Sequence, residues 1–455
     1  MEKKGLMTSG SIYKCIFLFT IPLILGNFFQ LMYNTIDSII VGNYVGSTAL
    51  AAVGTSTPII NLLIAFFQGL STGAGVVVAR YYGARKTEEE STAIHSFILF
   101  ALIFGIALSI IGVVFAPTIL KWMGTPADCY DQAVAYLRIY FAGSIFVTIY
   151  NAGTGILQAV GDSKHPLYYL IATSVLNVFG DLFFVKTLGM GTAGAALATV
   201  VCEGISVVLV LGTLMRSKSE YRLSLNKLKI NGPILKEIVR IGVPSGIQGM
   251  VVSVSNVVVM SYVNAFGSAS TAGFSSANKF DNFIGLPVNC FMLAITTFTG
   301  QNLGARKYDR VVKGVHASLV MSIATVVTCG IIVYIFADPL IGLFSTDAEV
   351  IAAGAKLIRI MCPYYTFLCF HQVWSGALRA SGRSMVPMIT SIMAFVVIRQ
   401  IFLAIAMPIY NDLGLIGYGY SFTWILAAVF TGIYYFRSHW LKKEEEQYGM
   451  PAGTK

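Results

Sequence analysis

Charge is the scarcest ingredient of this chain. Of its 455 residues, 11% are Asp, Glu, Lys or Arg and 56% are hydrophobic. No soluble domain of this size is built that way; repeated apolar runs of about 20 residues read as membrane-crossing helices. Histidine is sparse too: five residues, scattered without the spacing of metal ligands. The seven cysteines, Cys15, Cys129, Cys202, Cys290, Cys329, Cys362 and Cys369, form no C-x-x-C pair. All but Cys129 fall in apolar segments, where cysteine behaves as a small hydrophobe. These absences argue against a disulfide framework, a metal-ligand cluster and, with no nucleophile–base pair in view, an enzyme. No cleavable signal peptide is expected, because the first apolar segment runs past Asp37 without a small-residue cleavage site.

What is there is a succession of apolar segments. We expect an all-α integral membrane protein of twelve spans, at roughly 15–41, 51–79, 93–116, 133–157, 166–186, 191–215, 237–262, 272–299, 314–336, 350–378, 386–407 and 414–436. The long polar connection 216–236 separates an N-terminal six-helix lobe (1–215) from a C-terminal one (237–440), followed by a tail at 441–455. The net charge of +10 is not a nucleic-acid signature, because the basic residues gather in alternate loops. One set includes Arg80, Arg85, Lys86, seven basic residues from Arg216 to Arg240, Arg306, Lys307 and Arg310; the opposite set holds only Lys121, Arg138, Lys186, Lys356 and Arg359. By the positive-inside rule both termini and the 216–236 loop face the cytoplasm.

The halves repeat. Gly83-Ala-Arg-Lys86 recurs as Gly304-Ala-Arg-Lys307, and the same offset of 221 pairs Gly46 with Gly267, His95 with His316, Gly161 with Gly382 and Pro166 with Pro387. Pro22 pairs with Pro244 at an offset of 222. Six spans per half means that both halves start on the same side, so the repeat is parallel, about an axis along the membrane normal. Gly69-x-x-x-Gly73 and Gly242-x-x-x-Gly246 have the spacing that lets helices approach closely.

Against this apolar background, acids inside spans stand out. A carboxylate at the bilayer centre costs about 2.5–3.5 kcal/mol on insertion scales, and such residues mark ion pathways. In the first span Asn27, Gln30, Asn34 and Asp37 recur at steps of three and four and form one polar stripe. In the fifth, Asn177 and Asp181 are one turn apart; in the sixth, Thr199 and Glu203 are. Counted from the outer span ends, Asp37, Asp181 and Thr199 lie about 6–12 Å below the outer surface. Two carboxylates with amide and hydroxyl oxygens at one depth suit Na⁺ or a shared proton. Glu203 is a further candidate about a turn deeper; its alternative is a satisfied packing group. The N-terminal half has no basic residue well inside a span to neutralise these acids. In the C-terminal half the interior charges are Lys279, Asp281 and Arg399. Asp281 either pairs with Arg399 or lines a cavity, Lys279 meets a carbonyl or another helix, and His371 reads as a hydrogen-bonded bundle residue.

Several segments carry a family resemblance: Ile21-Pro-Leu-Ile-Leu-Gly-Asn27, Asp37-Ser-Ile-Ile-Val-Gly42, Gln158-Ala-Val-Gly-Asp-Ser163, Gly194-Ala-Ala-Leu-Ala-Thr199, Gly300-Gln-Asn-Leu-Gly-Ala-Arg306 and Leu378-Arg-Ala-Ser-Gly382. Over about residues 10–440 the chain resembles the MATE (multidrug and toxic compound extrusion) transporters. The resemblance implies a cation antiporter driven by Na⁺ or H⁺, exporting amphiphilic, often cationic compounds through a V-shaped cleft between two six-helix lobes. Asp37, Asn177, Asp181 and Thr199 match the positions of a DinF-like branch. The acids of the NorM-like branch in helices 7 and 10 have no counterpart: the helix 7 position falls near Val252, and Lys279 and Asp281 lie outside either pattern.

The expectation is therefore an efflux antiporter of a bacterial or archaeal cytoplasmic membrane. It would work as a monomer on a small-molecule substrate, without nucleic acid and with no cofactor beyond the coupling ion. Asp37, Asn177, Asp181 and Thr199 carry ion coupling, with Glu203 as a further member; Gln30, Asn34, Asn256 and Asp281 are placed along the substrate cleft. Two alternatives stay open: a flippase for a lipid-linked sugar, which usually needs basic cavity residues to hold phosphates, and a channel or sensor.

Overall fold

The computed structural model describes residues 6–448. Among the described residues there is no strand. The first half comprises α1 (Ile12–Tyr44), α2 (Ser47–Ala84), α3 (Thr87–Trp122), α4 (Tyr130–Ala142), α5 (Ser144–Ala159), α6 (Lys164–Asp181) and α7 (Gly191–Arg216). The second comprises α8 (Gly232–Asn264), α9 (Ser268–Gly304), α10 (Tyr308–Ile335), α11 (Ala337–Gly342), α12 (Ala348–Met361), α13 (Tyr365–Ala380), α14 (Met385–Ser391), α15 (Arg399–Tyr410), α16 (Gly414–Arg437) and α17 (Trp440–Tyr448). Two π-helical stretches interrupt the regular helix: Leu182–Thr187 continues α6, and Ile392–Ile398 joins α14 to α15.

Ten helical segments among the described residues are long and apolar enough to cross a membrane, or eleven when the pair α4 and α5, bent by 46°, is taken as one span. The remaining expected span, 350–378, is made of α12 and α13 joined by a 3-10 turn at Cys362–Tyr364. The outward faces are apolar. On α3, Ile103, Ile106, Ile110 and Val114 recur at helical spacing and are all well exposed. In water such a stripe would be a liability; facing lipid it is solvated.

The repeat expected from the sequence is visible in the backbone. Gly46 and Gly267, which precede α2 and α9, both have positive φ (109° and 90°), as do Gly161 and Gly382 (86° and 80°). Arg85 and Arg306 share φ of 57°. Lys86 N donates to Tyr81 O and Lys307 N to Asn302 O, so α2 and α9 end in the same left-handed turn.

The chain divides into two compact units. The first runs from Ile21 to Val243, and the second combines Leu6–Thr20 with the chain from Pro244 on. Both boundaries fall inside helices, beside Pro22 in α1 and Pro244 in α8. In the first unit the core gathers Ile40, Val41, Ala52, Ile60, Leu120, Leu137 and Phe141. There the segment before α8 is tied to α3: Ser224 N donates to His95 Nε2, and Ser96 Oγ donates to Lys229 O. The start of α8 lies on α2, where Gly73 and Gly242 meet backbone to backbone. In the second unit the core gathers Val259, Phe274, Ile284, Val326, Leu403 and Trp424. Its N-terminal segment is held by Lys307, which donates to Thr8 O, and by Arg310, which donates to Met7 O, Ser9 O and Gly10 O.

Candidate functional site

In the first unit, α1 and α6 bring two of the expected acids together. Asp181 is the last residue of α6, directly before the π-helical stretch, and is fully buried. Asn177, one turn earlier, is 2% exposed. Asp37 on α1 is half-buried, and its carboxyl lies within hydrogen-bonding reach of that of Asp181. Both oxygens of Asp181 and Oδ1 of Asp37 are enclosed without a donor among the described residues. Two carboxylates are both acceptors, so facing each other they satisfy neither. A proton or a cation between them removes the repulsion and fills the empty donor position.

The other residues expected at this centre lie on α6 and α7. The Asn177 amide has neither atom in a conventional hydrogen bond, although the Cys202 thiol lies within reach. Thr199 Oγ1 donates to Ala195 O at 3.1 Å, which orients its lone pairs away from its own helix. Glu203, a turn further along α7, has Oε2 enclosed without a partner. No Lys, Arg or His forms an ion pair with Asp37, Asp181 or Glu203 among the described residues. Gln30 lines a small cavity together with Asn177, Thr199 and Glu203. Asn34 is exposed on the stripe of α1.

The second unit is built differently. Arg399 follows directly on the π-helical stretch Ile392–Ile398 and is 2% exposed. Its guanidinium donates to Thr423 Oγ1 at 3.1 and 3.3 Å and to Asn256 Oδ1 at 3.3 Å, and it lies 4.0 Å over the Tyr420 ring. Tyr420 also donates to Asn256 Oδ1, at 3.3 Å. Asp281 accepts from the Tyr365 hydroxyl and forms no ion pair with Arg399. The pairing weighed from the sequence is thus replaced by two separate anchors, one aromatic hydroxyl for the acid and an aromatic face with two neutral oxygens for the guanidinium. These bonds engage the oxygens of Asn256 and Asp281 within the unit. Lys279, expected to meet a carbonyl or another helix, lies 4.1 Å over the Phe344 ring. His371 is hydrogen-bonded through both nitrogens, to Thr431 and Ser391, as a bundle residue should be.

Sequence reasoning missed Tyr365, Tyr420 and Thr423, the partners of the C-terminal charges; aromatic and hydroxyl residues are too frequent in this chain to signal such roles. It also missed Ser174 and Ser206, which line the small cavity. Their signal was available: they lie three residues from Asn177 and Glu203, on the same helix faces.

Comparison with known proteins places this geometry. The MatE family model matches residues 22–183 and 244–405. The two stretches are offset by 222 residues and begin at the paired prolines Pro22 and Pro244. The probable multidrug resistance protein YoeA of Bacillus subtilis is 30% identical over 446 residues, covering 95% of each chain. The probable multidrug resistance protein NorM of Thermotoga maritima is 25% identical, over 86% of this chain and 84% of that relative. Among solved structures, an outward-facing multidrug resistance MATE family transporter of the MOP superfamily superposes with a TM-score of 0.91 at 25% identity, over 97% of this chain and 100% of that one. With both repeats matched and a relative alike across nearly its full length, the chain belongs to the MatE family.

Proposed function

We propose that the protein is an ion-coupled efflux antiporter that exports amphiphilic, cationic small molecules from the cytoplasm in exchange for Na⁺ or H⁺. The observation that carries this reading is the pair Asp37 and Asp181: a fully buried carboxyl facing a half-buried one, without a basic partner, on helices of an apolar membrane protein. Asn177 and Thr199 supply neutral oxygens beside them. The names of the relatives, multidrug resistance proteins among them, support export of drug-like compounds. The protein acts as a monomer in the cytoplasmic membrane, with both termini inside.

Coupling requires that the ion bind the two access states with different affinity. With the pair ionised, two like charges repel and the helices carrying them are biased apart; with a proton or Na⁺ between them, α1 is drawn to α6. That difference is what an inward ion gradient acts on. Uptake of a fluorescent cation into proteoliposomes under imposed Na⁺ or pH gradients tests the reading. The wild type accumulates the cation under one of the two gradients, which names the ion, and Asp37→Asn reduces accumulation to the protein-free level. Undiminished gradient-driven uptake in Asp37→Asn would displace the site from this pair. Transport of no cation at all would favour the lipid-linked sugar flippase.

A further inference from the structure

The small cavity in the first unit is walled by α1, α5, α6 and α7 and has a volume of about 30 Å³. A water-sized body needs about 10–15 Å³ by this measure, so the space suits one or two. Its lining includes Ser174, Asn177, Thr199, Glu203 and Ser206, but neither Asp37 nor Asp181. It therefore adjoins the pair rather than containing it, and shares with the expected ion-coupling set Asn177 and Thr199. Thr199 and Glu203 are four residues apart on α7, about 6 Å along the axis.

The walls are chemically unfinished. Ser174 Oγ, Asn177 Oδ1, Asn177 Nδ2 and Glu203 Oε2 are all enclosed without a conventional hydrogen bond, and Ser174 and Asn177 are 8% and 2% exposed. Each such group is destabilising if left unmatched. A proton on Glu203 would answer one of them and leave the other oxygens as they are. Water would hydrogen-bond to them, but with Glu203 ionised it would leave the carboxylate without a counter-charge, and no basic side chain supplies one. A small hard cation answers both needs, because it takes neutral oxygens and a carboxylate together.

We propose that Glu203, Ser174 and Asn177 form a second Na⁺ position, about one helical turn inward of the Asp37–Asp181 pair. This rests on the ion-coupling reading of the first unit and deepens it: the unit holds two cations per chain. Asn177 is shared, since it lies one turn before Asp181 on α6 and also lines the inner cavity. Occupancy of one position then orients a ligand of the other, and the two ions bind cooperatively.

The test is equilibrium binding of ²²Na⁺ to the purified full-length protein, normalised to protein, alongside the proteoliposome assay. Wild type should bind about two Na⁺ per chain, and Glu203→Gln and Asp37→Asn about one each. The Hill coefficient for Na⁺-driven uptake should fall from near two to near one in Glu203→Gln. An unchanged Na⁺ count in Glu203→Gln, with the expected loss in Asp37→Asn, overturns the second position and leaves the outer one standing. A wild type that binds no Na⁺ but still shows proton-driven uptake sensitive to Asp37→Asn overturns it as well, while the antiport reading survives. Loss of substrate binding with an undiminished Na⁺ count would make Glu203 a substrate contact and equally overturn the proposal. If Glu203→Gln does not yield a monodisperse protein, Ser174→Ala serves: the second ion should bind about tenfold more weakly with the first unaffected, and equal affinities for wild type and Ser174→Ala would overturn the assignment.

Discussion

At Gly73 one hydrogen atom decides how close two helices lie. A Cβ there would sit 2.5 Å from Ile238 O and 2.6 Å from Gly242 N, and a Cβ on Gly242 would sit 2.8 Å from Leu70 Cα. These are backbone atoms, so no rotamer change relieves the clash. Gly73→Ala must push α2 away from the start of α8 and should cost about 1–3 kcal/mol, the usual range for overpacking. Thermal unfolding in detergent should show a lowered midpoint for Gly73→Ala and none for Gly54→Ala, where the added carbon meets nothing within 4 Å. An equal midpoint for Gly73→Ala and wild type would show that the two helices yield without cost. The spaced glycines announced this contact in the sequence because small residues at that interval have one common use in membranes. The acids were legible for a related reason: carboxylates are rare in apolar segments, so each asks for an explanation. Ser174, Tyr365 and Tyr420 were not, because a serine or tyrosine in such a helix is ordinary until its neighbours are known.

Helices in the second unit are joined by a hydrogen-bond chain with one direction. Arg379 Nη2 donates to Gln248 Oε1 at 2.8 Å, and Gln248 Nε2 donates to Ser391 Oγ at 2.7 Å. At the far end Thr431 donates to Thr390, which donates to Pro387 O. Thr431 is thereby an acceptor for His371 Nδ1, and Ser391 a donor to His371 Nε2, at 2.8 and 2.9 Å. The imidazole is held in one tautomer, and α8, α13, α14 and α16 are pinned at one level. Ser391→Ala interrupts the chain at its middle and strands both Gln248 Nε2 and His371 Nε2, at about 1–3 kcal/mol for each buried group left unmatched. Ser318→Ala provides the contrast, since its hydroxyl is buried with no partner to lose. Unfolding midpoints should drop for Ser391→Ala and hold or rise for Ser318→Ala; the same midpoint in both would mean that the chain carries no stability. Nothing in the sequence drew attention to Gln248 or Thr431, since their partners are more than 40 residues away. The breaks in the spans were hidden for a similar reason. The π-helical stretch Ile392–Ile398 is apolar throughout, and Leu182–Thr187 is apolar up to Lys186, like the helices they interrupt. Each nevertheless abuts the charged residue of its helix, Asp181 in one half and Arg399 in the other, where the widened turn frees backbone groups beside a buried charge.

For the whole molecule, the proposed orientation of the helices in the membrane rests on the charge pattern of the loops. The offsets read from the sequence recur as equal backbone conformations at Gly46 and Gly267, Arg85 and Arg306, and Gly161 and Gly382. The direction itself rests on the excess of Lys and Arg in one set of loops. The native Cys129, alone among the cysteines in a connecting loop, is 1% exposed and cannot report on it. Trp122, at the end of α3 on the side assigned outward, is 83% exposed, and Lys218, between α7 and α8 on the side assigned inward, is also exposed. In intact cells an impermeant maleimide should label Trp122→Cys above the level of the native chain, and should label Lys218→Cys only after permeabilisation. The opposite pattern would invert the protein and put Asp37 and Asp181 near the cytoplasmic surface. Labelling of both positions in intact cells would contradict the even number of spans in the first half, because Trp122 and Lys218 are separated by α4 to α7, which the bent pair makes three crossings.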